Sequence, residues 1–272
     1  MAWREGDVVA NGVRLHYYRT GGDKPAVVLS HGYTDSGLCW SQLASDLEAD
    51  YDVVMYDLRA HGRSDVPANG YSADNRAADL VGFAQALGLD RPALVGHSMG
   101  AETTAYAAAV APDLPRCVIL EDPPFVEGFY AATPAEREAQ VESMRAQIVE
   151  RGSLSTERLL AAGRADNPTW SESDLVHWAE AKRQVHPNAA YRRRDLPAVA
   201  WRETLPRISC PTLVLTADVA RGGLISPQTA EEILSILPDS RVVHVAGAGH
   251  CIRRDRYVDY LAAVRTFLAS HD

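Results

Sequence analysis

Val95-Gly96-His97-Ser98-Met99-Gly100 closes the short apolar run 93–95 and opens onto the alanine-rich helical stretch 101–110. It has the form G-x-S-x-G, in which a serine sits on a sharp turn from strand to helix. Flanking side chains would collide at such a turn, and Gly96 and Gly100 remove them. The helix that follows points its first N–H groups and the positive end of its dipole at the turn. The fold and the chemistry are therefore both read outward from Ser98.

Runs resembling 93–95 recur along the chain at 26–30, 53–56, 117–120, 212–216 and 241–245, bounded by Gly, Pro or Asp. Each is too short for a helix and apolar on both faces, as strands inside a parallel sheet are. Amphipathic stretches at 72–87, 101–110, 229–237 and 255–268 separate most of them. Strands alternating with helices predict an α/β fold, a mostly parallel sheet flanked by helices on both faces. Residues 8–10 and 14–19, turned by Asn11-Gly12, predict a hairpin added to the sheet edge.

The alternation breaks between about residues 125 and 208, where Pro123-Pro124 opens the segment and Pro206 and Pro211 close it. Its patterns at 134–151, 156–165 and 171–185 are helical, and it holds Trp170, Trp178 and Trp201, three of the five tryptophans. An all-helical insertion before the last two strands is read as a cap. The expected domains are a core of residues 1–124 and 209–272 and a cap of 125–208.

Composition narrows the function classes. The 272 residues carry a formal charge of −9, and 46% are hydrophobic against 23% charged, the balance of an ordinary soluble globule. A chain near this length buries about 75% of its unfolded surface, so its core needs no disulfide or metal staple. An acidic chain without a basic block lacks the counterion-release energy that drives nucleic-acid binding. The densest basic run, Arg192-Arg193-Arg194, is followed at once by Asp195 and reads as a solvated helix face or loop. No stretch approaches the roughly 18 uninterrupted apolar residues of a membrane span. The first seven residues have no apolar core of the signal-peptide kind. Cys39, Cys117, Cys210 and Cys251 form no CxxC pair. The expectation is a cytoplasmic protein that binds a small molecule, with no nucleic acid, membrane, cofactor or metal involved and no oligomeric state specified.

A serine hydroxyl needs a base to take its proton before it attacks. Of the nine histidines, His250 is the best placed. It ends Val245-Ala246-Gly247-Ala248-Gly249-His250, directly after the last apolar run, where two glycines let a loop reach over the turn. His97 adjoins the serine, but its side chain must point away there. Acyl transfer also needs donors for a tetrahedral oxyanion. His31-Gly32-Tyr33 follows the run 26–30 beside the turn, so the N–H groups of Tyr33 and Met99 are the candidate pair, with Gly32 against the substrate. The stretch Asp57-Leu58-Arg59-Ala60-His61-Gly62-Arg63-Ser64 is expected to order the neighbouring loop. Tyr130, Trp170 and Trp178 of the insertion are candidate substrate contacts. Arg253 and Arg254 read as surface or helix-start charges, with contact to a substrate carboxylate as the alternative.

With these segments, the chain resembles the α/β-hydrolase superfamily, in its branch of capped, cofactor-free serine esterases and lactonases. The resemblance implies a twisted eight-stranded sheet, a Ser–acid–His triad in that chain order, and a ligand site between sheet and cap. One element departs from the family pattern. The acid commonly stands three residues after a glycine that ends the strand before the last. Ala217 occupies the glycine's place here, and the slot falls on Ala220. Asp218 is two residues early, although Val219-Ala220-Arg221-Gly222-Gly223 could re-aim it. Asp122, 24 residues after Ser98, stands where haloalkane dehalogenases and zearalenone lactonases carry their acid. The two stand nearly level, Asp122 slightly ahead; Glu121 is its neighbour, and strand alternation points one of that pair away.

The expected reaction is hydrolysis of a carboxylic ester or lactone of a small apolar or aromatic substrate, through an acyl-enzyme on Ser98. A serine at the turn argues against dehalogenases and epoxide hydrolases, which resemble this fold but use an aspartate nucleophile. The same residues also serve carbon–carbon bond hydrolysis, perhydrolysis and cyanohydrin cleavage on this fold. A slow-turnover ligand receptor is the rival from another class.

Overall fold

In the computed structural model, which describes residues 3–126 and 132–271, the first two strands are β1 (Arg4–Ala10) and β2 (Val13–Arg19). Asn11 and Gly12 join them at φ of 49° and 73°, the conformation a two-residue hairpin requires. Then follow β3 (Ala26–Ser30), α1 (Ser41–Leu47), β4 (Asp52–Tyr56), α2 (Ala73–Ala86), β5 (Ala93–His97), α3 (Met99–Val110) and β6 (Val118–Glu121). The insertion contributes α4 (Pro134–Ser153), α5 (Thr156–Asp166), α6 (Glu172–Gln184) and the single turn α7 (Trp201–Thr204). The chain ends with β7 (Thr212–Ala217), α8 (Pro227–Ile236), β8 (Ser240–Val245), α9 (Ile252–Asp255) and α10 (Tyr257–Ala269).

The eight strands form one sheet in the order β1-β2-β4-β3-β5-β6-β7-β8. β1–β2 and β2–β4 pair antiparallel, and every later pair is parallel. The central strands are buried on both faces, and alternation divides their side chains between two cores. Val28, Val54, Leu94, Leu120 and Val214 pack on one face with α2, α3 and α8. Val27, Met55, Val95, Ile119 and Leu215 pack on the other with α1 and α10. The expected α/β architecture is thus the observed one.

Helix starts follow their caps. Ser72, Ser155, Ser171 and Ser226 each accept a main-chain N–H from the first turn, and Thr133 with Glu136 forms a full capping box at α4. Two local readings differ from the sequence pattern. α1 went unread because two turns with Leu43, Ala44 and Leu47 buried are too short to show a period. The last predicted helix, 255–268, is α10 and starts two residues later, after Arg256, whose φ of −139° leaves the helical region and separates it from the unread turn α9.

The longest inserted helix buries little of itself. α4 turns Val141 and Ile148 inward, two helical turns apart, against Tyr71, Val185, Ala189 and Ala190. This small cluster seats the inserted helices over the carboxyl ends of the strands, where residues 31–33, Ser98, Asp122, Asp218 and His250 all emerge.

Candidate active site

Ser98 has φ 51° and ψ −116°, a backbone that a residue with a side chain adopts only when its surroundings enforce it. Its N–H donates to Glu121 O at 2.9 Å, and its carbonyl accepts the N–H of Glu102 at 3.0 Å, so the turn is fixed on both sides. The glycine requirement is steric. A Cβ on Gly96 would strike the main chain of Gly100, and one on Gly100 would strike the carbonyl oxygens of Ser30 and His31. Gly100→Ala is therefore expected to cost about 1–3 kcal/mol or more by overpacking. A thermal melt should show a fall of about 5 °C or more.

The neighbouring loop is held by its own histidine and by Asp57. His31 donates Nδ1–H to Gly32 O at 2.8 Å and accepts Leu58 N–H on Nε2 at 3.0 Å. Asp57 accepts the N–H groups of Gly37 and Arg63 at 2.7 and 2.8 Å, the ordering role expected of the stretch 57–64. Gly32 lies against the turn, since a Cβ there would stand 2.6 Å from His97 Nδ1 and 3.5 Å from Ser98 Cβ. The N–H groups of Tyr33 and Met99 have no intramolecular acceptor among the described residues. Met99 is the first residue of α3, whose opening N–H groups lack helical partners by construction.

His250 donates Nδ1–H to Asp122 Oδ2 at 2.6 Å. Asp122 is fully buried and sits at φ 42°. Its carboxylate also accepts Leu224 N–H at 2.9 Å and Ile225 N–H at 3.3 Å. With the proton held on Nδ1, the lone pair of His250 is left on Nε2. Ser98 and His250 line one cavity of about 290 Å³. His97 turns from the serine to brace the histidine, donating Nε2–H to His250 O at 3.0 Å. Burial, reinforced by Arg253, holds the His97 ring far below its usual pKa and hence neutral.

Of the two candidate acids, the structure brings Asp122 to His250 and not Asp218. Asp218 accepts Gly247 N–H at 2.9 Å and faces His244 Nε2 at 3.0 Å, on the β8 side of the sheet edge. Those two contacts, the Gly247 N–H first, lower its pKa. The loop through Gly222-Gly223 does not re-aim Asp218; it leads into Leu224, whose N–H goes to Asp122. Glu121 points to the opposite face, where Arg253 holds it by Nη1 at 3.2 Å.

Of the three candidate substrate contacts, Trp170 and Trp178 line the cavity, and Tyr130 lies outside the described residues. Trp170 is fixed by Asp255, which accepts its Nε1–H at 2.9 Å and Gly249 N–H at 2.7 Å, tying the inserted segment to the His250 loop. Three basic residues were misread from sequence. Arg192 is no solvated charge: it turns inward over the Tyr33 ring, 5.5 Å from its centroid, and meets Glu102 at 3.7 Å. Arg253 and Arg254 are not surface charges either, both being buried and paired with Asp35. Lys182 was missed altogether. Its signal was present, because Asp174, Trp178 and Lys182 stand four residues apart and share one face of α6.

Residues 25–253 match the family described as alpha/beta hydrolase fold. The chain belongs to that family. This alpha/beta hydrolase is 36% identical over 266 residues to an N-formylmaleamate deformylase of Pseudomonas putida, covering 97% of this chain and 96% of the relative. It is 28% identical over 267 residues to a 2-(acetamidomethylene)succinate hydrolase of Mesorhizobium japonicum, covering 92% and 90% of the two chains. The crystal structure of an N-formylmaleamic acid deformylase variant from Pseudomonas putida S16 superposes with a TM-score of 0.78. It does so at 25% identity, over 96% of this chain and all of that one. Among the described residues of this hydrolase, no helix is long and apolar enough to cross a membrane.

Proposed function

We propose that this hydrolase cleaves a carboxylic acyl bond through an acyl-enzyme on Ser98, and that the bond is the C–N bond of a small N-acyl compound. The observation that carries the chemistry is the 2.6 Å contact of Asp122 with His250 Nδ1, on a histidine that shares its cavity with Ser98. His250 Nε2 takes the Ser98 proton as Oγ attacks the acyl carbon. Asp122 holds the tautomer and stabilises the imidazolium. The N–H groups of Tyr33 and Met99 receive the oxyanion, each worth on the order of 10²–10³ in rate. His250 then returns the proton to the leaving nitrogen, and water activated by the same ring releases the acid. Residues 125–208 act as the cap that closes this cavity, and 1–124 with 209–272 form the core.

The choice of bond rests on the relatives. A formyl group on nitrogen is in the name of one and an acetamido group in the name of the other, whereas the residues alone pointed to an ester or lactone. The cavity of about 290 Å³ is at the low end for ligand sites and suits a compact substrate. The test is acid release from N-formylmaleamate and its N-acetyl analogue, beside small methyl esters and lactones, by wild type and Ser98→Ala. Wild type should release formate or acetate with kcat/KM at least about tenfold above that for the esters. Faster ester or lactone turnover would reverse the ranking of bonds. Turnover of none, or turnover that survives Ser98→Ala, would overturn the mechanism.

A further inference from the structure

The cavity over Ser98 is walled by Lys182, Arg192 and Arg254, while Asp35 is the one carboxylate among its described lining residues. A chain of charge −9 has gathered three cations around its nucleophile. Two have anionic partners: Arg254 pairs with Asp35 at 3.1 Å and Asp174 at 3.7 Å, and Arg192 meets Glu102 at 3.7 Å. Lys182 differs. Its side chain belongs to a residue only 5% exposed. Nζ donates to Thr34 O at 2.7 Å and Thr34 Oγ1 at 2.8 Å, both neutral oxygens, and packs 5.1 Å from the Trp178 ring centroid. No carboxylate lies within ion-pair distance of it among the described residues. Asp35, the strongest negative field acting on it, is already shared by Arg253 and Arg254.

An ammonium taken out of water without an anion is expensive, and folds keep such groups where a ligand supplies the missing charge. Lysine has three N–H donors, and Thr34 takes two. We propose that Lys182, with Arg254 beside it, is the carboxylate-binding subsite of this active site, so that the substrate is an anionic acyl compound whose carboxylate pairs with Nζ while its scissile carbonyl faces Ser98. The proposal deepens the reading of Ser98 given above and rests on it for the position of the carbonyl. Lys182 fixes specificity; it takes no part in bond breaking.

Burial lowers the Lys182 ammonium to about 8. The field of Asp35 opposes that shift, and Arg254 and Arg151 add to it. Cys251 and Tyr33, pushed up to about 11 and about 12 by burial, stay neutral near that pH, and Arg254, raised by Asp35, stays charged. The ammonium is thus charged at neutral pH and loses its proton within an accessible range. An anion held by it should be released as pH rises through about 8.

The experiment compares monomethyl succinate, an anion, with dimethyl succinate, its neutral counterpart, and reads the ratio of their kcat/KM values. Wild type should favour the anion. Lys182→Met keeps the aliphatic stem and should shrink the ratio by about 10–100-fold, mainly through KM, as loss of one charge-assisted hydrogen bond implies. Lys182→Arg should keep most of the ratio. In wild type the ratio should fall between pH 7 and pH 9, because the two esters share the reacting groups and only the anion depends on the Lys182 ammonium. A ratio unchanged in Lys182→Met, or a wild type that prefers the neutral ester, would overturn the proposal. Calorimetric titration of Ser98→Ala with succinate and with succinamide needs neither turnover nor a Lys182 variant that folds. Succinate should bind at least about tenfold more tightly, and equal binding would overturn the subsite. Absence of ester turnover with tight succinate binding would instead count against the reading of Ser98 alone.

Discussion

Ser98→Ala is expected to lower kcat by about a millionfold while the protein melts within a few degrees of wild type. The size follows from the way a nucleophile and its base act as a unit: removing either costs about as much as removing the set. Neither Ser30 nor Thr34, the hydroxyls flanking the loop 31–33, can take over. Ser30, at the end of β3, is fully buried and its Oγ is bonded to the Tyr56 hydroxyl at 3.1 Å. Thr34 Oγ1 is engaged by Lys182. The Tyr33 and Met99 N–H groups survive the substitution, so a residue of about 10³–10⁴ over the uncatalysed rate should remain. The fold should tolerate the change because the main chain, not Oγ, holds the turn, through Glu121 O and the Glu102 N–H. Steady-state turnover with a calorimetric melt on the same sample measures both. Turnover within about tenfold of wild type would remove Ser98 from the chemistry.

The parts that were legible in the sequence share a local cause. β3 to β7 are apolar on both faces, which only a central parallel strand needs to be, and the turn at Ser98 is specified by two glycines that nothing else would fit. His250 was legible because a histidine on a glycine-bearing loop after the final strand has one edge of the sheet to go to. What stayed open depends on side-chain direction, which a strand leaves to its last residue. Asp122 reaches His250 only because its φ is 42°, a conformation no pattern of residue types announces for an aspartate. Asp218 looked equivalent because the competing donor, Gly247 N–H, lies on the next strand's loop. The basic residues were misread for a related reason. Arg192, Arg253 and Arg254 lie in segments rich in charge, and charge density predicts solvent exposure unless buried partners such as Asp35 and Glu121 come from distant parts of the chain. Lys182 sits on an ordinary amphipathic helix, and its place over Ser98 follows from how α4 and its cluster seat the insertion.

The exchange of one oxygen for nitrogen at Asp122 should separate the two acids by orders of magnitude. In Asp122, Oδ1 accepts Leu224 N–H at 3.0 Å and Ile225 N–H at 3.3 Å, while Oδ2 faces His250 Nδ1 at 2.6 Å and shares Leu224 N–H at 2.9 Å. An asparagine satisfies both main-chain donors only with its oxygen at the Oδ1 position, since an NH₂ there would face the N–H of Ile225, and this places the amide NH₂ against Nδ1. A donor facing Nδ1 drives the imidazole proton to Nε2, the nitrogen that must be free to take the Ser98 proton. Asp122→Asn is therefore expected to lower kcat by about 10⁴-fold with little change in KM, since the cavity lining does not include Asp122. Asp218→Asn retains an oxygen for Gly247 N–H, and its other partner, His244, lies outside the cavity. Its kcat should stay within about threefold of wild type, the error expected for a site outside the reacting network. Parallel kinetics on the two variants decide the matter. A large loss confined to Asp218→Asn would mean that the β7 loop rearranges to bring Asp218 to His250 during turnover. Loss confined to Asp122→Asn makes the tautomer of His250, set by the turn after β6, the quantity on which the proposed acyl transfer depends.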